Sequence, residues 1–483
     1  MNKLLFVTAL FLWGIFYVHP QESRPGGQQA SAPLHLSPRE AVDLAINNNL
    51  LLQTARISSD ITRRRSGYAW NQFLPTVGVN GTLARSNFAS SFSPGVVPLP
   101  NTGSLYTYGW TGGIINPDII VPSPVDLPRW NMLGGLSATL DFSFALVEGI
   151  RSLRLDYEAG LLTLDKARLQ LEQAVLKMYN GILLLQANMA LHAEGFDNAQ
   201  QQAAIAEANF QAGLAPRLNW LQAQVAVENM RPITNELDNN MKSLKGNFAH
   251  ILGLPYDTEI ELEPIHTENY FIPQDLAGFI SRSAAMGKPD IMELQANIVT
   301  LQSRRKALAF QQYTPFLRLG WNLSSTFTGD PWTDSLFSGS NWNRGGNLSI
   351  TLGMNFNGLF SFTREGQQFK DMDANIQINN IMLANMIRET ELEIFNKINS
   401  METARTTVAA QQAAVDLAEM TYNLTEEAYR AGHQDFQSVR NSALALERAK
   451  LQLSTLYFNF LNDMIDLEYS LGVPFGSLLR RSR

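Results

Sequence analysis

Two pairs of short strands, each set between long helix-forming stretches, constrain this chain more than any other feature. In residues 346–356, Leu348, Ile350, Leu352, Met354 and Phe356 alternate with Asn347, Ser349, Thr351, Gly353 and Asn355. In residues 134–144, Leu136, Ala138, Leu140, Phe142 and Phe144 alternate with Ser137, Thr139, Asp141 and Ser143. Strands at about 76–88 and 316–327 show the same dyad, with Val77, Val79 and Leu83, and Leu317, Leu319, Trp321 and Leu323, on their apolar faces. About ten residues of this alternation is the length and pattern of a strand in a membrane β-barrel.

The flanking stretches read as helices. Ser37-Pro38-Arg39-Glu40 supplies an N-cap, a proline at the first helical position and the glutamate of a capping box. That helix is expected to run to about Asn71, where Phe73-Leu74-Pro75 stops it. A proline-free stretch predicts a helix over 149–212, about 96 Å long at 1.5 Å per residue. Further helices are expected over 216–252, 289–312, 362–431 and 434–471. In the second of the long helices, Ala404, Ala409, Ala410, Ala413 and Ala414 predict close helix packing, and Glu389, Glu391 and Glu393 read as a solvated face.

The plan is duplicated. Pro75 and Pro315 both close a helix before a strand, 240 positions apart. Gly213 and Gly432 differ by 219 positions, as do Gly253 and Gly472. The first repeat therefore spans 37–254, the second 289–474, with an equatorial segment at 255–288 and a tail at 475–483. Four strands cannot close a membrane barrel, because the smallest has eight and no open edge is tolerated in lipid. Closure requires several copies, and three would give twelve strands.

Residues 1–20 read as an export signal, with Lys3 before the 15-residue apolar run Leu4–Val18. The run is short for the alternative, a membrane anchor. A flexible Gly/Pro/Gln/Ser-rich lead is expected over 21–36. The absence of cysteine excludes disulfides, a thiolate metal site and lipidation on an N-terminal Cys. A net charge of −7 without a basic run argues against nucleic acid. The six histidines are scattered and no HExxH, P-loop or GxSxG motif occurs, so neither catalytic residues nor a metal or cofactor is predicted. Gly109–Gly113 reads as part of a long surface loop over 89–130. Phe88, Phe92, Trp130, Trp321, Phe327, Phe360 and Phe362 are candidates for interfacial aromatic girdles.

The doubled plan, the Leu-Pro and Thr-Pro helix-to-strand junctions, the Ala-Gly turns at 212–213 and 431–432, and the Leu-Gly-hydrophobic-Pro endings resemble the TolC family of outer membrane efflux proteins. The resemblance spans Ser37 to Pro474. It implies a mainly α protein with membrane β-structure: a homotrimer whose twelve-stranded outer-membrane barrel continues into a periplasmic α-helical tunnel. It also implies a passive duct of an efflux or type I secretion system. Its partners would be a periplasmic adaptor, an inner-membrane pump or ABC exporter, and outer membrane lipid. A trimeric structural or adhesive protein without a lumen is the alternative.

In the family the tunnel closes at the turns after the two long helices, here Gly213–Gln222 and Gly432–Ser442. Known members carry acidic residues just past these turns. The matching positions are Asn219, Ser438 and Asn441, and the family's basic tethering position falls on Gln434. The resemblance thus implies a polar, weakly charged constriction formed by Asn219, Gln222, Ser438 and Asn441, with Asp435 as the nearest carboxylate. Tyr429 matches the family's tip tyrosine and is expected to hydrogen-bond Asn219. Tyr429, Gln434, Arg217 and Arg440 are candidates for tethering or adaptor contact. Arg217, Asp435 and Arg440 read equally as solvated tip charges, and Asn219, Ser438 and Asn441 as ordinary helix-surface polar groups.

Overall fold

The computed structural model describes residues 34–85, 130–264, 285–328, 342–431 and 433–480. Two very long helices organise it. α3 (Phe144–Gln211) has 68 residues and α6 (Arg364–Arg430) has 67, each about 100 Å long. Shorter helices lie along them: α1 (Pro38–Asn48), α2 (Leu50–Gly67) and α4 (Arg217–Ile251) on α3, and α7 (Phe436–Leu471) on α6. α5 (Pro289–Tyr313) touches both long helices, and α7 also packs on α3, which joins the repeats.

The single first helix expected to reach Asn71 is broken. Asn49 leaves helical geometry at ψ 124°, ends α1 and caps α2, its side chain accepting from the Leu52 amide at 3.0 Å. Its Nδ2 donates to the Ile251 carbonyl at 2.8 Å, so a contact 202 residues away fixes the break. The last turn tightens to a 3-10 helix over Ala69–Phe73. The predicted capping box at Ser37 and Glu40 is present.

One expectation about a chain segment is corrected. The end of the lead-in is ordered: Leu34–Leu36 forms β1 and pairs in parallel with β4 (Ile260–Leu262) of the equatorial segment. Tyr179 of α3 is buried and its hydroxyl lies 2.7 Å from Glu263 O and 3.0 Å from Leu36 O, one proton serving the two carbonyls, so the core grips this pair of strands. The tail begins docked, because buried Glu468 accepts from the amides of Gly476 and Leu478 at the start of α8 (Ser477–Arg480). Residues 21–33 and 86–129, with Phe88, Phe92 and Gly109–Gly113, lie outside the described residues.

The duplication is visible in the hydrogen bonds. Leu214 N–H donates to Asn209 O and His433 N–H to Ala428 O, both at 2.8 Å and 219 positions apart. Gly213, Gly253 and Gly472 adopt φ of 72°, 73° and 66°, the left-handed cap that glycine takes without strain. Gly432 is outside the described residues. At Gly253 and Gly472 a Cβ would lie 2.5 Å from Asn48 O and 1.9 Å from Gly287 O, whereas Gly213 opens on free space.

Charged clamps tie the repeats together. Asp466 of α7 accepts from Lys177 of α3 at 2.7 Å and from Lys397 of α6 at 2.9 Å. Burial disfavours this carboxylate, but the hydrogen bonds from the two lysines outweigh it and hold its pKa below the ordinary aspartate value. Glu393 is not part of a solvated face; it accepts from Lys288 at 2.6 Å and Ser470 at 2.9 Å. The alanines behave differently from expectation: Ala404 packs in the core, but Ala409, Ala410, Ala413 and Ala414 are exposed on the single chain.

Gly472→Ala is expected to lower the thermal midpoint clearly more than Gly213→Ala, which meets only the left-handed backbone cost of about 1–2 kcal/mol. Equal shifts would show that the contact with Gly287 is unimportant. A depressed carboxylate stabilises the fold above the ordinary aspartate range and loses that contribution as pH falls through its folded value. The midpoint should therefore drop on acidification. Asp466→Asn should flatten that dependence and cost about 1–2 kcal/mol at neutral pH, after allowance for partial exposure.

Candidate functional site

Two ends of the molecule carry the features that a duct needs. At one end, β2 (Thr76–Arg85), β3 (Trp130–Ser143), β5 (Phe316–Thr328) and β6 (Trp342–Gly353) form one antiparallel sheet in the order β2-β3-β5-β6. The strands differ slightly from expectation. β3 starts earlier and ends at Ser143, because Phe144 already begins α3, and β6 runs 342–353, leaving Met354 and Phe356 beyond it. β2 is described to Arg85.

The register keeps the predicted faces. Val77, Val79, Leu348, Ile350 and Leu352 are 69–81% exposed on one side. The other side carries Thr, Ser, Asn and Gly, with one ion pair, Arg318 to Asp141 at 2.6 Å between paired strands. Trp130 and Trp342 lie at the far ends of β3 and β6, and Phe327 packs beside Trp342 at 5.5 Å. Trp321 is mid-strand and 45% exposed on the apolar side. Phe360 and Phe362 lie at the opposite, helix-side end, their rings tilted against each other with centroids 5.6 Å apart. Among the described residues no helix is long and apolar enough to cross a membrane.

At the other end, the α3–α4 and α6–α7 turns come together. Asp435 is the N-cap of α7; its Oδ1 accepts from the Ser438 amide at 2.8 Å. Hydrogen bonds from Ser438 hold its pKa below the usual carboxylate range. The carboxylate therefore serves the helix terminus as well as the tip's electrostatics. Asn219 is half-buried in the first turn of α4, its amide donating to Pro216 O at 3.1 Å. Gln222, Arg217 and Gln434 are exposed. Ser438 is half-buried, and Asn441 is exposed and accepts from Gln437 at 3.1 Å.

The expected bond between Tyr429 and Asn219 does not form. Tyr429 instead lies edge-on to Phe436, with ring centroids 6.3 Å apart. Phe436 is the residue sequence reading missed. It is the first residue of α7, is 3% exposed, and packs with Ala206 of α3 and Ala223 of α4, so one aromatic ring joins the two tip hairpins. Its signal was a large apolar residue directly after a capping Asp, opposite small residues in the other repeat. Phe210 and Trp220 stack at 5.6 Å and brace the first hairpin. Arg440 faces inward, lining a cleft of about 380 Å³ with His192, Met230, Tyr422 and Glu447. Among the described residues no cluster of His, Asp and Glu could hold a metal ion.

A family model described as outer membrane efflux protein matches residues 41–253, the first repeat. No curated protein matches the chain. Solved structures match it almost end to end. CusC, described as forming a transmembrane channel, is 17% identical with a TM-score of 0.68, covering 94% of this chain and 96% of its own. The outer membrane protein VceC of Vibrio cholerae is 15% identical with a TM-score of 0.66, covering 91% and 96%. The outer membrane channel CmeC of Campylobacter jejuni is 18% identical with a TM-score of 0.66, covering 92% and 88%. At these identities the likeness is one of fold. The sequence match to that family covers the first repeat, and the solved structures share the fold over both repeats.

Proposed function

We propose that the protein is a passive export duct, a homotrimer in which three four-stranded sheets close a twelve-stranded barrel and the long helices continue it as a periplasmic tunnel. One observation carries this reading. The sheet has an exposed apolar face, an opposite face of small polar groups, and two edges, β2 and β6, without a partner among the described residues. In lipid such edges must be paired, and the antiparallel order lets β2 of one copy meet β6 of the next. The exposed alanines of α6, with Leu417, Met420 and Leu424 beside them, and the exposed Leu214, Leu218, Leu221 and Val225 around the start of α4, supply matching helical edges for the same closure.

Within this reading, residues 37–254 and 289–474 are the two repeats of each subunit, and 255–288 is the equatorial segment between them, whose β4 meets β1. Residues 1–20 direct export, and without cysteine no lipid is attached there. The barrel sits in the outer membrane of a diderm bacterium. The tip gate is polar, with Asn219, Gln222, Ser438 and Asn441 as its narrowing residues and Asp435 as the nearest carboxylate. Arg217, Gln434, Tyr429 and Arg440 contribute to holding the tip or meeting the adaptor. A periplasmic adaptor and an inner-membrane pump or ABC exporter open it by parting the α3–α4 and α6–α7 hairpins. The duct performs no catalysis; the pump supplies the energy.

Planar-bilayer conductance of the purified protein tests the gate. Asn219→Asp or Asn441→Asp should change single-channel conductance or cation selectivity several-fold more than acidic substitutions within residues 89–129. Equal effects would remove these residues from the gate.

A further inference from the structure

The described strands of the four-stranded sheet contain four charged side chains. Asp141 and Arg318 neutralise each other on the polar face. Arg85 and Arg344 do not belong to that face. Arg85 continues the apolar row of Val77, Val79 and Leu83, and Arg344 that of Leu348, Ile350 and Leu352. Both are exposed, and among the described residues no carboxylate pairs with either. A duct has no use for charges on its outward side.

Their placement has a regularity. Arg85 lies nine positions beyond Thr76, the helix-side end of β2, and Arg344 nine positions from Gly353, the helix-side end of β6. Nine residues at about 3.3 Å each, tilted by about 40°, rise roughly 23 Å, the height of the apolar band of a membrane barrel. Both guanidinium groups thus emerge where hydrocarbon gives way to headgroups, the depth at which an outward arginine costs little. Aromatic rings mark the same level. The Arg85 guanidinium stands 5.5 Å from the ring of its cross-strand partner Trp130, and Trp342 sits two positions from Arg344. β2 and β6 are the two edge strands, so closing the barrel brings Arg85 of one subunit and Arg344 of the next to the same seam.

We propose that Arg85 and Arg344 form, at each of the three subunit seams, a site for the phosphate of an anionic lipid in the outer leaflet. Two guanidinium groups present paired N–H donors that match phosphate oxygens, which a single lysine ammonium does not. The juxtaposition rests on the trimeric barrel reading. It adds to that reading a lipid partner that bridges subunits.

Native mass spectrometry of the delipidated, detergent-purified protein tests it, with purified diphosphorylated lipid A as the probe and its dephosphorylated form as control. The wild-type trimer should bind up to three lipid A molecules and the dephosphorylated form far less. R85Q/R344Q should weaken binding by about tenfold or more, as expected for losing two charge-assisted contacts. R154Q, on the exposed helical surface, should bind as wild type. If the double variant does not assemble, R85Q and R344Q singly should each weaken binding by about threefold or more. Equal binding by wild type and variants, or equal binding of the two lipid forms, would overturn the site while leaving the trimer intact. A wild-type protein that is not trimeric would instead overturn the barrel reading on which the site rests.

Discussion

Backbone hydrogen bonding is the constraint on which this architecture depends. A four-stranded sheet with an apolar outer face has no stable place in water, because Val79, Leu348 and Leu352 would remain wet. It has no stable place in lipid either while the edges of β2 and β6 stay open, since each unpaired amide or carbonyl there costs several kcal/mol. Pairing edge to edge between copies resolves both problems. The number of strands per chain, their alternation and the assembly are therefore one physical statement.

The helices make that closure rigid and transmit it. β3 passes into α3 without a loop, Ser143 being the last strand residue and Phe144 the first helical one, so sheet and tunnel are mechanically continuous. Lys177, Lys397 and Asp466 lock α3, α6 and α7 in the middle. The left-handed caps at Gly253 and Gly472 seat the returning helices against Asn48 and Gly287. The far end is held more lightly. There Phe436, packed among alanines, joins the two hairpins, and Asp435 caps its helix. In the proposed duct this gradient, with many buried contacts at the middle and few at the tip, leaves the tip as the end that can part.

Much of this was legible in the sequence because it is periodic. Strand alternation, proline stops and the repeated 219-residue spacing are local signals, and the four strands and all the expected helices but the first fall within a few residues of their expected places. The breaks from expectation have tertiary causes. Asn49 interrupts the first helix because its side chain reaches Ile251, and Leu34–Leu36 is a strand because β4 lies beside it. The tip was only partly legible. Alignment on the turn glycines reached Asn219, Ser438 and Asn441. That Tyr429 meets Phe436 rather than Asn219 depends on how two repeats pack, which no window of one repeat contains. Arg85 and Arg344 were invisible for the same reason: their meaning lies in a face and an edge shared between copies.

Single-particle imaging of the detergent-purified mature protein tests the central claim most directly. Closure of the sheet between copies predicts a threefold particle with a short twelve-stranded barrel and an open-bored helical tunnel about 100 Å long. A monomer, or a threefold rod without a lumen, would contradict it.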